Sequence, residues 1–154
     1  DVGKMCQLML QPTNQIMKIK YFTARVQARP HDPDQPTRQD VYLRALSTLP
    51  NLEIIFDDAS EFVLKTNKKF DLIIIDIFQD TKMPDFLFEF FFINRICFLL
   101  NPKGHILFNT MLLNANHKQI NLEYIKNFDS KKYSVSTYNK MEETNELILI
   151  ESKF

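Results

Sequence analysis

Carboxylates raise the first chemical question. In Phe70-Asp71-Leu72-Ile73-Ile74-Ile75-Asp76-Ile77-Phe78, two aspartates flank four consecutive large aliphatics, and Asp80 follows closely. A run without polar alternation reads as a strand buried on both faces, in the middle of a parallel sheet covered by helices. Asp71 then marks the entry to that sheet. Asp76 stands at its carboxyl end, where open α/β sheets place their ligands. A carboxylate there can hold an ammonium, and a neighbouring one can take its proton. Asp57 and Asp58 form a second acidic pair. They could bind a cation, but a helix N-cap beside a solvated neighbour explains them at less cost.

The remaining chemistry-bearing types point to structure. His31, His105 and His117 lack mutual metal-ligand spacing, and Cys6 and Cys97 lie far apart without a CxxC. No metal site is expected, and the thiols read as reduced and structural. Arg25, Arg29 and Arg38 could contact phosphate as a basic loop. With a net charge of zero, solvated loop and helix charges are the stronger reading. The phenylalanines from Phe86 to Phe92 recur at helical spacing and read as core rather than as a ligand box.

The bulk numbers bound the setting. A chain of 154 residues, 45% hydrophobic and 25% charged, is one ordinary globular domain. Neutrality argues against nucleic acid or a membrane surface as partner, and a small-molecule ligand is the class left open. The longest apolar run, 87–100, is broken by Glu89, Asn94 and Arg95, so no membrane span is expected. The first eleven residues do not read as a secretory signal, and a cytoplasmic location is expected. Glycine is the unusual count. Only Gly3 and Gly104 occur, where roughly 7% usage would give about eleven. A Gly-rich phosphate or dinucleotide loop cannot exist here in its usual form.

These residues need elements to position them. A short helix is expected over 1–10, with Asp1 as a potential N-cap, and a strand over 16–23. The Pro- and Asp-rich 29–35 reads as a loop. Pro36 opens a helix that stops before Pro50. A strand over 52–56 and a short helix over 58–65, with Phe62 and Val63 inward, lead into the Phe70 strand. Pro84 begins a long helix through Leu100, and 101–104 is a turn. A strand over 105–111 and a helix over 117–128, with Ile120, Tyr124 and Ile125 inward, precede two final strands, 132–138 and 146–151. Strands alternating with helices and then a closing β-ribbon indicate an α/β three-layer, Rossmann-like sandwich.

Composition shifts along the chain. Four of five arginines and five of seven prolines precede residue 53, whereas thirteen of fourteen phenylalanines follow it. The two sides resemble different families. Tyr21-Phe22-Thr23-Ala24-Arg25-Val26, Arg29-Pro30, Asp32-Pro33, Arg38-Gln39, Tyr42-Leu43-Arg44-Ala45-Leu46 and Thr48-Leu49-Pro50-Asn51 resemble NYN-domain, PIN-like proteins. That resemblance implies an RNA-binding or ribonuclease-derived module. The metal-binding acidic residues of that family have no counterpart in this sequence.

From Ile54 onward the chain resembles class I SAM-dependent methyltransferases, in particular the branch similar to spermidine synthase. The carriers are Asp57-Asp58-Ala59 before a helix, the Phe70–Phe78 strand, Met83-Pro84 with Phe86-Leu87-Phe88, and Leu100-Asn101-Pro102-Lys103-Gly104-His105-Ile106-Leu107. The resemblance implies S-adenosylmethionine or decarboxylated SAM as cofactor, touched by Asp58 and Ala59, with Asp58 accepting from the adenine amino group. It implies catalytic roles for Asp76, facing the transferred group or the amine, and for Asp80, one residue further along than in the family's motif. The family's Gly-rich loop and ribose-binding acid have no counterpart.

The expectation is therefore a single domain over 1–154, with a NYN-like part (1–53) and a methyltransferase-like part (54–154). It should hold one mostly parallel sheet of about six strands, ordered 52–56, 17–23, 71–76, 104–110, 146–151, 133–138, with 146–151 antiparallel. The leading function is a SAM-transferase-like domain of weak or absent activity. An RNA-binding module and a structural, recombined or designed chimera without a ligand are the alternatives. A missing strand can leave an edge that a second copy covers, so a homodimer is included.

Overall fold

The computed structural model describes residues 2–10, 12–78, 82–141 and 144–154, without the side chains of Lys140 and Met141. The chain divides into two compact units, Asp1–Thr66 and Asn67–Phe154. The compositional shift near residue 53 falls inside the first of them.

The first unit contains α1 (Val2–Met9), β1 (Ile19–Thr23), α2 (Gln35–Ser47), β2 (Leu52–Phe56) and α3 (Ala59–Lys65). The strands pair in parallel from Ile19 opposite Leu52 to Thr23 opposite Phe56. Parallel neighbours need a crossover, and α2 supplies it. Pro36 sits in the first turn of α2, where its missing N–H costs nothing. Asn51 takes a left-handed φ of 64° to turn into β2, a conformation asparagine tolerates, and its amide donates to the Ile16 carbonyl at 3.1 Å. Cys6, Leu43 and Leu46 are buried, and the Phe22 and Phe62 rings meet at 4.6 Å. The Asp1 N-cap lies outside the described residues.

The second unit contains β3 (Phe70–Ile75), a 3-10 turn (Asp85–Phe88), α4 (Phe90–Leu99), β4 (Leu100–Met111), α5 (Ala115–Ile125), β5 (Tyr133–Met141) and β6 (Asn145–Ser152). Its sheet runs β3-β4-β6-β5. β3 and β4 are parallel, and β6 is antiparallel to both β4 and β5. Side chains alternate across the strands. Ile106, Phe108, Thr110, Glu146, Ile148 and Ile150 are buried on one face, while Leu107, Asn109, Leu147 and Leu149 on the other are half-buried. Leu87, Ile93, Ile96 and Leu99 are also almost fully buried. Each such side chain removed from water contributes about 1.5–3 kcal/mol.

Several expectations need correction. The described strands form a two-stranded and a four-stranded sheet rather than one six-stranded, mostly parallel sheet. The pairs 52–56 with 17–23, and 71–76 through 133–138, form as expected. No ladder joins β1 to β3 among the described residues. Strand periodicity identifies which residues extend, but not which edges meet. The Phe70 strand is not buried throughout either: within β3 only Ile75 is buried, at 4% exposure.

The single helix expected from Pro84 to Leu100 is interrupted. Glu89 adopts an extended ψ of 137°, closing the 3-10 turn and starting α4. This re-aims the two segments so that Leu87 (0% exposed) and Ile93 (1%) both reach the interior. The 101–104 turn becomes an irregularity within β4, where the register with β3 shifts between Phe70 and Leu72. Lys103 has a φ of 59° there. A Cβ on Gly104 would meet the Asn101 carbonyl oxygen and the Leu100 side chain at 2.9 Å.

Helix α5 starts before residue 117 because Asn114 caps it, accepting from the His117 N–H at 2.9 Å. His117 Nδ1 in turn accepts from the Leu113 N–H at 3.2 Å. Ile120, expected inward, is 37% exposed, and Asn121 is buried with Tyr124 and Phe128 instead.

Candidate functional site

β3 and β4 run parallel and β6 runs back, so the carboxyl ends of the first two meet the start of the third. Asp76, just beyond β3, is exposed. Asn109 near the end of β4 donates from Nδ2 to Asp76 Oδ1 at 3.0 Å. Asn145, the first residue of β6, donates from Nδ2 to Asn109 Oδ1 at 2.9 Å. Thr144 Oγ1 donates to Asn145 Oδ1 at 2.8 Å. Asp76 Oδ2 has no hydrogen-bond partner among the described residues. The arrangement offers one free carboxylate oxygen at the end of a parallel strand, held in place through the other. Asp80 lies outside the described residues.

A second polar cluster occupies the buried face at the same end. Glu146 is 8% and Asn121 2% exposed. Asn121 Nδ2 donates to Glu146 Oε2 at 2.7 Å and to the Met111 carbonyl at 3.1 Å. Thr110 Oγ1 donates to the Glu146 carbonyl at 3.3 Å. A buried carboxylate is tolerable only with such partners, and here they tie α5 to β4 and β6. None of Asn109, Asn121, Asn145 and Glu146 was singled out from the sequence. The available signal was a polar residue, Asn109, within the otherwise apolar 106–108 and 111–113 stretches.

In the first unit, Asp58 caps α3. Its Oδ1 accepts from the Ser60 N–H at 2.8 Å and from Ser60 Oγ at 2.7 Å. The Ser60 hydroxyl, then the Ser60 N–H, hold its carboxyl below the usual range. Asp57 Oδ1 accepts from the Asp58 N–H at 2.8 Å, and Ala59 is the first residue of the helix. Arg25 pairs with Asp40 at 2.6 Å and lies 4.2 Å from the Phe56 ring centroid. Arg38 pairs with Asp32, also at 2.6 Å. These carboxylates offset much of the charge an anion would meet. Arg25 and Phe56 border an open hollow of about 360 Å³ floored by Leu43 and Ile54.

The thiols are unactivated. Burial pushes Cys6 and Cys97 up, away from the thiolate that would react. Tyr133, which shares a hydrogen bond with Cys97, is pushed up to about 12 by burial and by that thiol. His105 meets Glu151 across the β4–β6 ladder at 3.3 Å. Among the described residues no group of three or more His, Cys, Asp or Glu is arranged to hold a metal ion. No helix described is long and apolar enough to cross a membrane.

The α/β fold of this chain is similar to that of solved methyltransferase and spermidine synthase structures. An rRNA methylase from Streptococcus thermophilus matches with a TM-score of 0.53 and 17% identity over 88% of this chain and 73% of its own. Human methyltransferase-like protein 13 in complex with SAH matches at 0.59 and 16%, over 75% of this chain and 56% of its own. Spermidine synthase in complex with the transition state analogue AdoDATO matches at 0.61 and 18%, over 90% of this chain. The chain spans just under half the length of that synthase, 47%. No protein-family model matches the chain, and no curated protein matches it in sequence.

The residues present do not fit S-adenosylmethionine as a complete set. Gly104 is committed to the β4 irregularity and Gly3 to helix α1, so neither glycine opens a loop after a strand. Both bonds from Ser60 fall on Asp58 Oδ1, so the N-cap of α3 takes up that oxygen.

Proposed function

We propose that the chain is a SAM-dependent methyltransferase- or spermidine-synthase-like domain that lacks the Gly-rich cofactor loop and is weakly active or inactive. Asp76 is its amine-facing carboxylate, with Asp80 as the second carboxylate. Asp58 and Ala59 are the remnant of the contact surface for SAM or decarboxylated SAM. The observation that supports this reading best is Asp76 itself, which stands just past a strand end with Oδ1 held by the Asn109 amide. A carboxylate with a free oxygen can bind an ammonium and take its proton, while a cofactor without a backbone cradle binds poorly.

Isothermal titration with SAM, decarboxylated SAM and methylthioadenosine tests the reading. Weak heat that disappears in Asp58→Ala is the expected result. Tight binding with turnover would replace it with an ordinary transferase, and no heat at high ligand concentration would remove the cofactor from the account.

A further inference from the structure

We propose that Asn109 and Asn145 are positioning residues for Asp76, forming a one-way hydrogen-bond relay that fixes which carboxylate oxygen is offered to a cationic ligand. The proposal rests on the reading of Asp76 as an amine-holding carboxylate. Its basis is the direction of three successive bonds: Thr144 Oγ1 to Asn145 Oδ1, Asn145 Nδ2 to Asn109 Oδ1, and Asn109 Nδ2 to Asp76 Oδ1. Every donor points towards the carboxylate. Each asparagine uses its oxygen as acceptor and its nitrogen as donor, so reversing either amide would set oxygen against oxygen. Both planes are thereby fixed, and bonds chained in one sense polarise one another.

The geometry is built into the sheet. Asn145 stands opposite Met111 and Asn109 opposite Leu147 in the β4–β6 ladder, so the two asparagines are diagonal neighbours on one face. β3 lies on the other side of β4 and delivers Asp76 to the same end. Oδ1 of Asp76 is committed to the relay, and Oδ2 is the atom left for a ligand. Because the relay delivers its donors into the carboxylate, the ligand side presents an acceptor. A ligand bearing N–H donors and positive charge, such as a primary ammonium, satisfies it, whereas an anion or a bare carbonyl does not. The buried Asn121–Glu146 pair has similar chemistry but joins α5 to the sheet, and so serves as an internal control.

The test uses the full chain with 1,4-diaminobutane as the probe and 1,4-butanediol as its uncharged counterpart. Asp76→Asn should abolish diamine binding. Asn109→Leu should weaken it about tenfold and Asn145→Leu about threefold, with Asn109→Ser standing in should the leucine variant not fold. Asn145→Leu should have no further effect once Asn109 is Leu, because it acts through that residue. Asn121→Leu should lower Tm without weakening the diamine.

A second readout needs no ligand. Asp76→Leu, which removes the acceptor, should move the side-chain amide resonances of Asn109 and Asn145 together, because the two amides are bonded in series. An Asn145 amide that stays still in Asp76→Leu, or an equal cost of Asn145→Leu with and without Asn109, overturns the relay. If wild type takes up no diamine, the amine-holding reading of Asp76 falls, and the amide resonances alone decide the relay.

Discussion

The two compact units bury apolar surface unequally. In the first, Cys6, Leu43 and Leu46 are buried, at 7%, 6% and 5% exposure, while Leu8 and Met17 stand 77% and 78% exposed. In the second, Leu87, Ile96, Ile106, Phe108, Ile148 and Ile150 are all fully enclosed at 0%. The cause is architectural. Four strands, of which β4 and β6 alternate strictly, give the second unit a continuous inner face, on which Phe88 and Tyr124 meet Phe108. Two parallel strands and three helices give the first unit a narrower one. A candidate site inherits the stiffness of what carries it. Asp76 and its asparagines sit on or beside strands of the better-packed unit, and Asp58 caps a seven-residue helix of the other.

Cutting into each interior tests this contrast most directly. The Phe108 ring meets Tyr124 at 4.8 Å and Phe88 at 5.7 Å. Phe108→Ala should cost about 3–5 kcal/mol by denaturant unfolding, and Leu46→Ala in the first unit about 2 kcal/mol. Native-state hydrogen exchange should show amides of β4 and β6 outlasting those of β1 and β2. Equal costs, or equal protection of the two sheets, would dissolve the difference.

A smaller effect of opposite sign sharpens it. Tyr124 is 2% exposed, and its hydroxyl has no hydrogen-bond partner among the described residues. Burial, and then the nearby Cys97, push that phenol well above its usual range. Tyr124→Phe keeps the ring contacts with Phe88, Phe108 and Phe128 and removes an unsatisfied polar group. It should stabilise the protein by about 1 kcal/mol. A loss of stability would mean that the hydroxyl has a partner, for example an ordered water.

Much of the fold was legible because the strands announce themselves. Leu52–Phe56 was placed to the residue, and the β3-β4-β6-β5 order, with its antiparallel β6, followed from the resemblance. What failed depended on context. Nothing in a phenylalanine-rich run marks Glu89 as the point where a helix must break, because every register of that run is apolar. Ile120 and Asn121 exchanged places because a buried carboxylate, Glu146, needed a donor, and that demand is visible only once β6 lies beside β4. The position of Asp76 just past the Phe70 strand was legible, because the aliphatic run ends there. Asn109 and Asn145 were not, because their meaning lies in a cross-strand diagonal between residues 36 apart in the chain.

The mildest expected effect concerns Asp58. As an N-cap accepting from Ser60, it should contribute about 1 kcal/mol, at the low end for so exposed a carboxylate. Its bonds are made by the ionised form, so its folded pKa lies below the unfolded value of about 3.9. For a depressed carboxyl, the stabilisation is fully present above the unfolded pKa and is lost as pH falls through the folded one. The stability difference between wild type and Asp58→Ala should therefore be constant from neutral pH down to about 5. It should shrink below about 4 as the cap protonates. Ser60→Ala, which removes the hydroxyl donor and leaves the backbone donor, should reproduce part of that loss with the same pH window. If the difference instead persisted unchanged into strong acid, Asp58 would owe its place to something other than the ionised cap. The case for it as a remnant of a ligand-contacting carboxylate would then reopen.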